Sequence, residues 1–118
     1  MNHMTRKEYV TLYRPVGQAE LDLIIDSGCK KFPPRLPEQP IFYPVCNVEY
    51  AWQIAKQWNA KNGDIECVTF FDVNYNYLSK YDIHTVGNRT HQEYWIPAED
   101  LLLFNNNIIG DIRFIKKK

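Results

Sequence analysis

Three short sets of residues carry side chains that a packing role alone does not explain: Tyr13-Arg14, Tyr43, and His91-Gln92-Glu93. In THQEYWIPAEDL (residues 90–101), Glu93 stands at the head of a strand, with His91 and Gln92 before it and Tyr94 and Trp95 after it. Acids are depleted in strands, so Glu93 is either an edge charge that keeps the sheet soluble or the working end of a site. Arg14 poses a similar question. The run EYVTLYR (8–14) alternates, with Val10, Leu12 and Arg14 on one face and Tyr9, Thr11 and Tyr13 on the other. With Val10 and Leu12 in the core, the guanidinium points inward and needs a carboxylate, carbonyls or a ligand phosphate. Any surface acid would also serve. Tyr43 fits a core or a cleft equally well. The three sets share one feature of placement: each lies at the start or end of a different expected strand, where active-site residues gather.

The elements that must position them follow from periodicity and turn chemistry. A first strand covers Glu8 to Arg14, and a helix covers Gln18 to Ser27, with Leu21, Ile24 and Ile25 on one face and Gly28 ending it. Residues 32–40, FPPRLPEQP, form an ordered, semi-rigid proline-rich loop. Ile41 to Val45 is a short strand whose Pro44 argues for an edge or a strand end. Asn47 caps a helix over Val48 to Asn59, where Ala51, Ile54, Ala55 and Trp58 make the buried stripe, and Gly63 closes that unit. Ile65 to Val73 is apolar on both faces and reads as a central strand. A turn or short helix (Asn74 to Tyr81), a strand (Asp82 to Val86) and a turn (Gly87 to Thr90) lead into the Glu93 strand. A helix then opens at Pro97, and Ile108 to Ile115 closes the chain as a strand. The order predicts a single α+β domain with two to three helices and a bent, mostly antiparallel sheet.

Composition narrows the function classes. At 118 residues the chain holds one core, and a formal charge of zero predicts no long-range attraction to nucleic acid or anionic membrane. No apolar run approaches the roughly 18–20 residues of a membrane span, and residues 1–7 lack the apolar stretch of a signal peptide. Lys116-Lys117-Lys118 reads as a solvated tail. Cys29, Cys46 and Cys67 are odd in number and lack CxxC spacing, so reduced thiols and a cytoplasmic location are expected. His3, His84 and His91 are scattered, so no metal site is predicted.

The segments LYRPVG, ELDLI, SG, FPPRLPEQPIFYPV and EYWIPAEDL together resemble a family of short bacterial proteins catalogued as ADP-ribosylation/crystallin J1-like, over about Tyr9 to Ile115. The layout also resembles the ADP-ribosyltransferase fold, in which a split sheet grips NAD. That resemblance implies an Arg or His on the first strand, a Tyr or Ser on a middle strand and a Glu on a later one, which fall on Arg14, Tyr43 and Glu93. By implication Glu93 would stabilise the positive charge that develops on the ribose as nicotinamide leaves. Tyr43 would stack on the nicotinamide, and Tyr13-Arg14 would hold phosphate or ribose oxygens. Arg35, on the proline-rich loop, is a second phosphate candidate. Arginine-modifying members carry a second acid two residues before the catalytic Glu. Here that position is His91, which shares the face of Glu93 and can contact an acceptor or act as a base near neutral pH. The expected function is an NAD-dependent ADP-ribosyltransferase, or an NAD-cleaving relative, acting on an unknown protein or nucleic acid. The alternative is a non-catalytic module of the same fold that binds NAD, ADP-ribose or a partner. Glycohydrolases of the crystallin J1 type are large helical magnesium enzymes, and this chain has neither the length nor the aspartate cluster.

Overall fold

The alternation in residues 9–16 produces the strand around which the fold is organised. The computed structural model of the chain describes residues 8–87 and 89–117; residues 1–7, Asn88 and Lys118, which enter the leader, turn and tail expectations, lie outside them. β1 (Tyr9–Val16) lies between β3 (Cys67–Asn74) on one side and a single bridging residue, Val45, on the other. β7 (Ile108–Lys116) flanks β3. Beyond Val45 come β5 (Gln92–Tyr94) and then β4 (Ile83–Thr85). β2 (Ile41–Phe42) pairs separately with β6 (Ile96–Pro97). Every described pairing is antiparallel. The expected α+β class is observed.

Among the described residues the α-helices are α1 (Gln18–Asp26), α2 (Val48–Ile54), a single turn α3 (Tyr75–Leu78) and α4 (Leu101–Asn106), four where two to three were expected. Asn47 caps α2 as its type predicts, accepting a bond from the Tyr50 N–H at 2.8 Å. Gly17 precedes α1 and has no capping side chain of its own; the carboxylate of Asp64 caps it instead, accepting from Gln18 N–H at 3.0 Å. A Cβ at Gly17 would lie 2.2 Å from that carboxylate, which explains the glycine. Pro97 precedes rather than opens the last helix, which begins as a 3-10 turn, Ala98–Asp100.

The core lies on the face of β1 that carries Leu12, Arg14 and Val16. There Phe32, Phe42, Phe71 and Phe104 meet in tilted and edge-to-face pairs, with ring centroids 4.8 to 6.2 Å apart. Such contacts add about 0.5–1.5 kcal/mol per pair beyond area burial. The proline-rich loop belongs to this core. Its leading residue, Phe32, exchanges two hydrogen bonds with the Asn105 side chain, and Pro40 O accepts from Ala98 N–H at 2.8 Å. The opposite face carries a smaller cluster of Val45, Ala51, Ala55 and Val68, packed under α2.

Trp58 corrects the expected α2 stripe. After Ile54 the helix continues as a π-helical turn, Ala55–Ala60, whose wider winding rotates the indole off the buried face. It stands 66% exposed, while Ala51 and Ala55 remain buried.

Candidate functional site

β5 brings Glu93 to the α2 side of the sheet. Tyr13 pairs with Val45, and Val45 pairs with Glu93, so the three side chains share one face. His84, opposite Glu93 on β4, joins them. Arg14, next to Tyr13 on β1, points to the other face. The sheet therefore separates the sequence-derived candidates. Tyr13, His91 and Glu93 lie on one side, while Arg14 and Arg35 lie around the Phe42 ring on the other; Tyr43 meets Trp95 and is also close enough to Arg35 to act on its charge.

Glu93 is not an edge charge. It is only 9% exposed, and both carboxylate oxygens are engaged: the Tyr50 hydroxyl donates to Oε2 and the Trp95 indole N–H donates to Oε1, each at 2.8 Å. Trp95 is two residues on along the strand and reaches back over the same face. Its ring stacks on His84 with centroids 3.8 Å apart and planes within 5°, and Tyr43 meets it edge-on at 6.3 Å. Despite these contacts Trp95 and Tyr43 are each 41% exposed. On the other flank His91 stacks on Tyr50, 4.3 Å between centroids, and its Nε2 bonds Gln53 Oε1 at 2.8 Å. The carboxylate thus anchors two aromatic stacks, one on either side.

Beside the Tyr50 stack opens a cleft of about 430 Å³, lined by Asn47, Glu49, Tyr50, Gln53, Arg89 and Gln92 among others. Asn47 spans it at one end, its side-chain amide donating to Thr90 O. Its lining residues carry polar side chains, three of them amides, although their carbon atoms form the larger part of the wall.

Burial and the carboxylate raise the acids around it. Burial, the Glu93 bond and its charge push the Tyr50 phenol up to about 12. Burial and then Glu93 push the Cys46 thiol up to about 11. Both groups are thus held neutral in the fold, which sets an alkaline limit. The unfolded chain gives up these protons first, from pH about 9 for the thiol and about 10 for the phenol. Their contribution is complete below those values and is lost as pH rises toward about 11 and 12. Unfolding midpoints in urea should fall between pH 9 and 11, and Cys46→Ala with Tyr50→Phe should lessen that fall, leaving the part that comes from Tyr77, Tyr81, Tyr94 and Cys67, which burial also raises. An undiminished fall in the double variant would contradict the assignment.

On the opposite face Arg14 forms a two-bond pair with Glu20 of α1, Nε to Oε2 at 2.8 Å and Nη2 to Oε1 at 3.0 Å. Its guanidinium lies 4.7 Å from the Phe42 centroid. The inward-pointing arginine has found a carboxylate six residues along the chain.

Trp95, His84, Tyr50 and Gln53 belong to this face and were not singled out from the sequence. Among the described residues no three His, Cys, Asp or Glu side chains form a group that could hold a metal. No helix among them is long and apolar enough to cross a membrane. No protein-family model, curated protein or solved structure matches the chain.

Proposed function

We propose that the chain is a binding module for NAD or ADP-ribose, which takes the ligand's planar ring against the aromatic face built on Glu93. The carrying observation is the state of Trp95. Its N–H is tied to a buried carboxylate, one ring face is covered by His84 and Tyr43 lies perpendicular to it, yet two-fifths of the residue remains exposed. A ring fixed in advance loses little entropy when a ligand stacks on it. The resemblance described above supplies the ligand class. Sheet continuity through Val45 alone supports the finer fold reading, a split sheet of the ADP-ribosyltransferase kind. The reduced cysteines suit a cytoplasmic setting.

Binding is favoured over transfer because Glu93 is buried and each of its oxygens already accepts a bond, from Tyr50 and from Trp95. A carboxylate this buried must be uncovered before it can bond a ribose hydroxyl and face developing positive charge, although each oxygen keeps a second acceptor site. The transferase reading keeps one supporting observation. Glu93 bonds Tyr50, which stacks on His91 and lines the cleft where an acceptor on a protein or nucleic acid has room to approach.

Titration calorimetry with NAD and with ADP-ribose tests the binding reading. Base–aromatic stacking contributes roughly 1–3 kcal/mol, so Trp95→Ala should weaken binding by about 5- to 100-fold while Trp95→Phe retains most of it. Equal affinity of wild type and Trp95→Ala, or no saturable binding of either ligand, would refute it.

A further inference from the structure

The face turned away from Glu93 carries a charge cluster that the binding reading does not use. Arg14 and Arg35 both approach the Phe42 ring, their guanidinium carbons 4.7 and 6.0 Å from its centroid. One carboxylate serves the pair, and Arg14 takes both of its oxygens. Arg35 makes one hydrogen bond, from Nε to the Ile41 carbonyl at 3.2 Å, and among the described residues its terminal nitrogens have no acceptor.

We infer that Arg35 is an oxyanion-binding group, its two terminal nitrogens taking a phosphate-type anion beside the proline-rich loop. Three features support this. The loop holds its shape: Pro33, Pro34, Pro37 and Pro40 fix backbone angles, Gln39 N–H donates to Leu36 O at 2.8 Å, and the Gln39 side chain accepts from Leu36 N–H at 3.2 Å. The bond to Ile41 O orients the guanidinium fork while leaving its far edge free, and a planar fork of this kind matches two phosphate oxygens. The local charge is also unbalanced. Burial lowers the pKa of Arg35, and so does the positive charge of Arg14, with Glu20 and Tyr43 acting in the opposite direction. A half-buried cation next to a second cation is relieved by an anion.

The inference holds whether the anion is a free phosphate or the diphosphate of the ligand proposed for the Glu93 face. The test is a titration of the full chain with inorganic phosphate at constant ionic strength set with chloride, following the Arg35 Nε–Hε and loop amide resonances by NMR. The expected result is a saturable shift in the millimolar range, lost in Arg35→Gln, weakened several-fold in Arg35→Lys and unchanged in Trp95→Ala. A dispersed spectrum for Arg35→Gln confirms that its fold is intact. Absence of a saturable shift would overturn the inference, as would a shift that chloride alone reproduces or one that survives in Arg35→Gln. A parallel titration with ADP-ribose separates two sources of the anion. Arg35 and Trp95 resonances moving together identify a ligand's own diphosphate, and Arg35 responding to phosphate alone identifies a separate anion.

Discussion

Glu93→Ala should destabilise the protein by about 2–4 kcal/mol and abolish ligand binding on its face. The change removes two hydrogen bonds to a charged acceptor, each contributing roughly 1.5–3 kcal/mol, and leaves the Tyr50 hydroxyl and Trp95 N–H without partners. Both donors are part-buried and can recover some hydration, which holds the loss below the full sum. The indole, freed from its anchor, should also lose its fixed stack on His84. Urea unfolding and the near-ultraviolet circular dichroism of the tryptophans check both parts. Glu93→Gln keeps a carbonyl acceptor and should lose roughly half as much. A loss below about 0.5 kcal/mol in Glu93→Ala, with the aromatic signal intact, would mean that the carboxylate does not organise this face.

Phe42→Ala should cost more, about 3–5 kcal/mol, the range for removing a buried aromatic. Phe42 is fully buried, contacts Phe32 and Phe104 at 5.1 and 5.3 Å, and presents its face to Arg14. Its loss opens a cavity where the proline-rich loop, α4 and β1 meet, and the four-phenylalanine cluster has no neighbour positioned to refill it. Domains of this size have only about 5–15 kcal/mol of total stability, so the variant should be near its unfolding limit at 37 °C. Phe42→Leu should cost roughly 1–2 kcal/mol. A loss below about 1 kcal/mol for the alanine variant would show that the loop and α4 are held without this ring.

Periodicity and caps made most elements legible. The alternation of residues 9–14, the Asn47 cap and Gly63 each reappear as read, the glycine in the left-handed region at φ 81°. Long-range partners were not legible. Asp64 caps a helix whose first residue is 46 positions away, and no local pattern signals that. Trp58 fitted an α-helical stripe, and only the π-helical turn moves it into solvent. The site was partly legible. The period of two on the Glu93 strand put His91 on the correct face, and the same rule reaches Trp95, which was passed over because its bulk read as core. His84 could also have been found, since a hairpin closed by the Gly87–Thr90 turn places it opposite Glu93. The sidedness of Arg14 was legible too, because its alternation with Tyr13 already put the two on different faces. The occupancy of Glu93 by Tyr50 required knowing how α2 docks.

The most direct test of the account is to incubate the purified protein with NAD and measure binding and nicotinamide release together, wild type beside Glu93→Gln. The account predicts that the wild type binds NAD and releases no nicotinamide, and that Glu93→Gln binds more weakly because Trp95 is less firmly held. Nicotinamide release by the wild type that Glu93→Gln loses while still binding NAD would contradict it, placing Glu93 in the chemical step and making the chain an enzyme.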